Sequence, residues 1–217
     1  MKNLLCLSGD HQTFGNHPQA KNVYDIDSIQ LIQALHRMKE ESVFISGKPT
    51  KQPARFFLGA AAHPTADPPE LQMIRLHKKI EAGAQFVQTQ AIYDLERFDR
   101  WMEEVRKAGL HKKAYFIAGI LVNKSLKSLE MTAQVAGIHV PDSLIERMRK
   151  ASDYQEEGVA IALELMEGVR KIEGVSGIHI MAVGWESIVP TLIEKAGLLP
   201  RPELSEETEG GAENAGL

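Results

Sequence analysis

Short apolar runs alternate with longer segments of helical periodicity along most of this chain. The apolar runs cover residues 3–8, 55–61, 85–90, 114–120 and 177–181. Each run is bounded by glycine or polar residues and is short for a helix, so we interpret each as a β-strand buried on both faces. Strands that alternate with helices pair in parallel through right-handed crossovers, so the pattern predicts an α/β fold.

The helices between these runs have recognisable ends. Asp27 precedes an amphipathic segment at 28–40, prolines follow Asp67 before a segment that extends to Ala82, and Asp94 precedes a third segment. These residues are typical of helix starts. Ala-Gly pairs at 82–83, 108–109, 136–137 and 196–197 follow helical spacing, as expected of left-handed caps. Two further helices, at 141–150 and 154–172, precede the last strand without a strand between them.

The strands number about five, whereas a closed (β/α)₈ barrel has eight. Five parallel strands could form an open sheet or the last five strands of an incomplete TIM barrel, whose open edge would favour pairing with another chain. We assign residues 1–202 to this partial barrel. Residues 203–217 contain five glutamates and no lysine or arginine, which predicts an acidic, disordered tail.

The composition narrows the class of protein. The chain has 217 residues and a formal net charge of −4. The tail accounts for all of this negative charge and leaves a nearly neutral body, so we expect neither a nucleic-acid nor a membrane partner. The single cysteine, Cys6, permits no internal disulfide. A signal peptide and a long apolar run are both absent from the sequence, which predicts a cytoplasmic protein.

Polar residues follow several of the predicted strands. Parallel α/β folds bind ligands at the carboxyl ends of their strands. Those ends carry Ser8-Gly9-Asp10, His63, Gln90 and Trp185, with small residues beside them that leave room for a flat ligand. Dinucleotide, phosphate-loop and nucleophile-elbow motifs do not occur, and the eight histidines are scattered, so we predict no metal site.

Four segments together resemble a known family. They are 8–11 (SGDH), 19–27 (QAKNVYDID), 60–64 (AAAHP) and 78–94, which contains Lys-Lys, Ala-Gly-Ala, Thr-Gln and Asp94. The chain resembles the methylenetetrahydrofolate reductase family from about Asn3 to Pro202. The resemblance implies a (β/α)₈ flavoprotein that uses FAD and NADH or NADPH to reduce 5,10-methylenetetrahydrofolate to 5-methyltetrahydrofolate, a step toward methionine biosynthesis in one-carbon metabolism.

The resemblance also implies roles for individual residues. Asp10 would be the catalytic carboxylate beside flavin and folate, where its charge would favour hydride donation and a cationic folate iminium. Ser8, Gly9 and His63 would contact FAD. Lys79 would meet the FAD diphosphate, with Lys78 and Arg75 nearby. A glutamine amide can donate and accept together, so Gln90 would bind the pterin edge of folate.

Each role has a structural alternative. Asp10 could cap a loop, Gly9 could be an ordinary turn glycine, and Gln90 could bond a neighbouring loop. Lysines are mostly exposed, so Lys79 could lie on a solvated helix face. Trp185, which falls where other members have a folate-binding arginine, could stack on pterin or flavin or pack in the core.

The chain departs from the family's pattern at several positions. Gln72 replaces an aspartate on the FAD-binding helix, and Ser128 and Thr132 replace a glutamine and a phenylalanine on the folate side. The family's first three strands, which carry a glutamate general acid, lie before the position of Asn3. The chain could therefore be a non-catalytic or split-gene fragment completed by a partner chain, or form a homo-oligomer. A different pterin-dependent one-carbon barrel enzyme is a further alternative.

Overall fold

The computed structural model describes residues 2–9 and 11–200. Asp10 and the tail at 203–217 lie outside these ranges. The described chain forms one parallel sheet of five strands in the order β1-β2-β3-β4-β5, which are Asn3–Cys6, Phe57–Ala62, Phe86–Ala91, Tyr115–Leu121 and Val175–Met181. All five predicted strands are confirmed, and so is the α/β fold class. Sequential order with parallel pairing is the arrangement of consecutive βα units in a barrel.

Seven α-helices accompany the sheet in the described residues. They are α1 (Ser28–Glu40), α2 (Pro69–Glu81), α3 (Leu95–Lys107), α4 (Leu126–Ala133), α5 (Asp142–Lys150), α6 (Tyr154–Arg170) and α7 (Val189–Lys195). Asp27 caps α1 by accepting from the Gln30 N–H at 2.9 Å, and Asp94 caps α3 through the Arg97 N–H at 2.9 Å. The glycines of all four Ala-Gly pairs have positive φ, in agreement with the sequence prediction. None of the helices in the described ranges is long and apolar enough to cross a membrane.

The helices pack on one face of the sheet through two apolar clusters. The larger one joins β3, β4 and β5 to α3 and α6, with Phe98 and Phe116 fully buried at its centre. Trp101 stacks on Phe98 at 5.9 Å and meets Phe116 edge-on at 5.9 Å. The smaller cluster joins α1 to β1 and β2 around Ile32 and contains the buried Cys6.

The other face, which we call the inner face, carries the alternate strand residues. Near the amino-terminal ends of the strands it is covered by aromatic rings: Phe57 stacks on Phe86 at 5.4 Å and lies 6.3 Å from Tyr115. A Cβ at Gly59 would come within 2.1 Å of the Phe86 ring, so only glycine leaves room for this stack. These rings fill one half of the inner face and leave the carboxyl-terminal half open to a ligand.

The sheet has two unpaired edges within the described ranges. β1 pairs only with β2, and β5 pairs only with β4. Leu5 of β1 is 39% exposed, and Leu7 just beyond the strand is 53% exposed. The sheet is therefore part of a barrel wall rather than a closed barrel.

Candidate functional site

A cavity of about 430 Å³ lies on the inner face at the carboxyl-terminal ends of the strands. Every described strand except β4 contributes to its lining, together with α1 and α2. The residues predicted from the sequence that line it are Ser8, Gly9, His63, Arg75, Lys79 and Gln90. The structure thus brings six of the nine predicted site residues to one cavity.

A second cavity of about 420 Å³ adjoins the first. The two share Ala61, Ala62, His63, Arg75 and Lys79, so they form the two halves of one elongated cleft. The second half extends over α2 past Gln72 and Leu71 to the loop at Ala136 and Gly137. Thr65 holds that loop by donating to Gly137 O at 2.7 Å.

Lys79 is the most unusual residue of the cleft. Its side chain is buried, with the residue only 7% exposed, and Nζ donates to Ala61 O at 2.7 Å. No carboxylate among the described residues lies within ion-pair distance of Nζ. Burial lowers the pKa of the Lys79 ammonium, nearby Arg75 lowers it further, and Asp27 opposes the change. The alternative of a solvated helix face is wrong for Lys79, because α2 buries this side chain behind β2.

The segment after β1 has a fixed backbone shape. The Ser28 N–H donates to Ser8 Oγ at 2.9 Å, which ties the end of β1 to the first turn of α1. Gly9 has φ of +76°, a conformation that residues with a Cβ rarely adopt. Apart from its chain neighbours, no described residue has an atom within 4 Å of the place where its Cβ would be, and Gly9 lines the cavity.

A bulge in β3 directs Gln90 into the cavity. The register between β3 and β4 shifts between Gln88 and Ala91. Thr89 Oγ1 holds the bulge by accepting from the Gly119 N–H at 2.8 Å and donating to Gln90 O at 2.9 Å. Bulges commonly re-aim a side chain beside a functional site. The two residues of the Thr-Gln pair thus have different positions: Thr89 holds the bulge, and Gln90 lines the cavity.

The remaining predicted residues lie elsewhere. Lys78 is exposed on α2 and lines neither cavity. Trp185 is partly buried against the larger apolar cluster and is also absent from the lining of both. Asp10 lies outside the described residues.

The two departures on α4 have structural roles. Ser128 forms a reciprocal capping box with Ser125 at the start of α4. Thr132 is buried and accepts from Asn123 Nδ2 at 3.1 Å, and Asn123 in turn accepts from the Tyr93 hydroxyl. Burial raises the pKa of the Tyr93 phenol, which therefore stays a neutral donor. This polar network fixes the loop after β4.

The sequence analysis gave no role to several lining residues, among them Gln88 of β3, and His179 and Met181 of β5. The signal that could have found them is the two-residue period of a strand. Gln88 pairs with Ile117 before the bulge and lines the same cavity as Gln90. His179 pairs with Gly119 in the β4–β5 register and points to the same side. No group of three or more potential metal ligands occurs among the described residues.

Comparison with known proteins agrees with this geometry. The family model for methylenetetrahydrofolate reductase matches residues 1–197. This chain belongs to the methylenetetrahydrofolate reductase family. The match also decides against an unrelated pterin-dependent barrel, because it extends over the whole described sheet.

Individual relatives cover different shares of the chain. Methylenetetrahydrofolate reductase 2 of Schizosaccharomyces pombe is 26% identical over 96% of this chain and 33% of its own length. Methylenetetrahydrofolate reductase 1 of the same yeast is 27% identical over 66% of this chain and 25% of its own length. The 5,10-methylenetetrahydrofolate reductase of Escherichia coli is 24% identical over 69% of this chain and 52% of its own length. The chain thus spans a quarter to about half of these relatives.

A solved structure has a similar fold. It is an uncharacterized protein from Clostridium thermocellum that binds two copies of 5-methyl-5,6,7,8-tetrahydrofolic acid. The TM-score is 0.51 at 22% identity, over 65% of this chain and 53% of that one. This likeness concerns the fold and is consistent with an incomplete TIM barrel.

Proposed function

We propose that this chain carries the flavin and folate site of a methylenetetrahydrofolate reductase, and that it reduces 5,10-methylenetetrahydrofolate to 5-methyltetrahydrofolate with NADH or NADPH. The observation that carries the proposal is Lys79: a buried ammonium without a carboxylate partner in the described residues, at the junction of two cavities. An isolated buried charge is costly. An anionic group of a ligand would offset that cost.

The lining fits FAD by its donors and its shape. Lys79 and Arg75 provide two cations where the two cavities meet, as a diphosphate requires. Gly9 leaves a surface of bare backbone for a flat ring, and His63 adds an aromatic side chain at the junction. When bound, the flavin would supply a hydride to the methylene carbon of the folate.

The folate would lie toward β3 and β5. The Gln90 amide oxygen already accepts from the Ala91 N–H at 3.2 Å, and no other described residue hydrogen-bonds to this amide. We assign Gln90 to the pterin edge. Asp10 stays a prediction from the family pattern: its carboxylate would disfavour negative charge on the cofactor and favour positive charge on the folate.

Three related predictions accompany this proposal. We expect the functional domain to extend over residues 1–202. We expect a cytoplasmic location. We also expect a homo-oligomer or a partner chain, because unpaired strand edges favour pairing. The described β1 and β5 each have such an edge, and Leu5 and Leu7 are exposed at the edge of β1. The mass of the purified chain in solution tests the last point.

The experiment for the proposed function has two stages. The visible spectrum of the purified chain, recorded with and without added FAD, should show bound flavin. The flavin-loaded protein should then oxidise NADH or NADPH with continued turnover when methylenetetrahydrofolate is present, and 5-methyltetrahydrofolate should accumulate. Flavin binding without any folate product would contradict the assigned reaction.

A second candidate is a folate-binding protein without a flavin. It is favoured by the two adjoining cavities of similar volume, about 430 and 420 Å³, and by the two folates of the Clostridium thermocellum protein. Calorimetric titration separates the candidates. A reductase should bind one folate beside one flavin, whereas the alternative should bind two folates and no flavin.

A further inference from the structure

The cavity contains a second glutamine, Gln88, to which the proposed function gives no role. Gln88 is a half-buried residue of β3 and lines the cavity at the carboxyl-terminal ends of the strands. Phe86 lies two residues earlier on the same strand, and its ring stacks on Phe57 on the inner face. Because side chains alternate along a strand, Gln88 is the first polar side chain of β3 above these rings.

The backbone of Gln88 is held on both sides, whereas its amide is not. Gln88 pairs with Ala61 on β2 and with Ile117 on β4, before the bulge begins. Within residues 2–9 and 11–200, no group forms a hydrogen bond with the Gln88 amide. The strand therefore fixes where this side chain starts, and the cavity is where its donors and acceptor are available.

Two neighbouring glutamines differ from Gln88 in this respect. The amide oxygen of Gln85, just before β3, accepts from the Leu58 N–H at 3.3 Å. The amide oxygen of Gln90 accepts from the Ala91 N–H at 3.2 Å. Polar groups inside proteins are nearly always hydrogen-bonded, and an unpaired one costs free energy. A strand position that breaks this rule is expected at a functional site.

We propose that Gln88 binds the lactam edge of a planar ring in this cavity and makes the site specific for rings that have one. A lactam edge is a ring N–H beside a ring C=O, and flavin and pterin both have it. The Gln88 carbonyl oxygen would accept from the ring N–H, while its NH₂ group donates to the ring C=O. This inference rests on the proposed function and adds a recognition residue to it.

The surroundings of Gln88 favour a neutral ring edge over a charged group. Its pairing partner Ala61 and the two leucines at β1, Leu5 and Leu7, line the same cavity with small or apolar side chains. The described lining contains no carboxylate, and the Lys79 ammonium lies on α2 at the junction with the second cavity. A hydrocarbon ligand would leave the amide unpaired, whereas a lactam edge matches both its donor and its acceptor.

The first test removes the amide and measures each ring separately. Gln88→Met keeps the length of the side chain, and calorimetry follows the binding of FAD and of 5-methyltetrahydrofolate. The ring that Gln88 contacts should bind about 5- to 150-fold more weakly, as expected for two lost hydrogen bonds. A loss for FAD alone assigns the flavin edge, and a loss for the folate alone assigns the pterin edge. Unchanged affinity for both ligands would overturn the proposal.

Gln33→Met is the matched control. Gln33 is exposed on α1 and lines neither cavity, so the same chemical change there should alter neither affinity.

The second test removes the proton from the ring instead. An analogue methylated at the lactam nitrogen is compared with its parent: 3-methylriboflavin with riboflavin, or a folate methylated at N3 with the parent folate. The wild-type protein should bind the methylated ring at least about 2- to 12-fold more weakly, and Gln88→Met should bind both rings alike. An equal penalty in both proteins would show that the methyl group only clashes, and would overturn the proposal.

Urea unfolding separates ligand recognition from a packing role. Gln88→Met removes an unpaired amide from a half-buried position, so the unfolding midpoint should stay the same or rise. A lower midpoint together with weaker binding of both ligands would show that Gln88 only maintains the strand. A wild-type chain that binds neither FAD nor folate would instead overturn the proposed function, and with it this assignment.

Discussion

Replacing the Lys79 ammonium tests the site at its most unusual point. Lys79→Met keeps the length and the apolar part of the side chain and removes the charge. In the structure the ammonium donates to one neutral partner, Ala61 O at 2.7 Å. Burial of the side chain is the main cause that lowers the pKa of Lys79. The variant should therefore bind flavin more weakly while folding at least as well.

The size of the effect follows from the lost contact. A hydrogen bond to a charged group contributes about 1.5–3 kcal/mol, and about 1.4 kcal/mol corresponds to a tenfold change in affinity. Flavin affinity should fall by roughly 10- to 150-fold. Binding of free inorganic pyrophosphate should weaken as well, because it presents the same anion.

Stability should change in the opposite direction. Because the folded pKa of Lys79 is below its unfolded value, the unfolded chain binds more protons between the two values, and stability rises with pH across that range. The cost of burying the ammonium is thus fully present below the folded pKa. Lys79→Met removes this cost, so its unfolding free energy at neutral pH should equal or exceed that of the wild type.

Flavin fluorescence titration and urea unfolding measure the two quantities on the same samples. Lys112→Met is a matched control, because Lys112 is exposed and lies just before β4, at the opposite end of the strand from the cavity. Unchanged flavin affinity in Lys79→Met would refute the anion-binding role. A variant that loses flavin binding and is also much less stable would show that the ammonium is structural.

Three further changes test separate parts of the account. Gln90→Ala removes an amide whose net hydrogen-bond contribution is about 0.5–1.5 kcal/mol. Folate should therefore bind roughly 2- to 12-fold more weakly by calorimetry, while flavin affinity stays unchanged. Unchanged folate affinity would contradict the assignment of Gln90 to the pterin edge. Gly119→Ala puts a Cβ 2.5 Å from Thr89 O, which should cost about 1–3 kcal/mol in urea unfolding, whereas Gly177→Ala meets no atom within 4 Å and should be tolerated. Asp10→Asn should slow folate reduction more than flavin reduction in stopped-flow experiments, and equal slowing would count against its electrostatic role.

The sheet could be predicted because its local signals agree with one another. All five apolar runs became strands, and Asp27 and Asp94 cap helices as expected. The open sheet edges were also expected from the number of strands. Consistency of this kind between pattern, caps and turns is what makes a sequence specify a fold.

The burial of Lys79 could not be predicted from spacing alone. The neighbouring residues Lys78 and Lys79 look alike in the sequence, yet one is exposed and the other faces the cleft. A helix turns by 100° per residue, so the face that packs on the sheet decides which lysine is buried. Which of the two lysines is buried therefore depends on tertiary packing rather than on the local sequence pattern.

His179 was missed for a different reason. The final strand was predicted from its apolar residues, and His179 within it was given no role. Its place in the cavity lining follows from register, because the pairing of β5 with β4 puts it opposite Gly119. Conversely, Ser128 and Thr132 stood at positions of ligand contact in the family pattern, and their side chains serve the cap of α4 and the Tyr93 network.

A single-turnover experiment tests the central claim most directly. The chain is loaded with FAD, reduced without oxygen, and mixed with methylenetetrahydrofolate while the flavin absorbance and the folate products are followed. The account predicts reoxidation of the flavin with formation of one 5-methyltetrahydrofolate per flavin. Folate binding without reoxidation, or a chain that takes up no flavin at all, would contradict it.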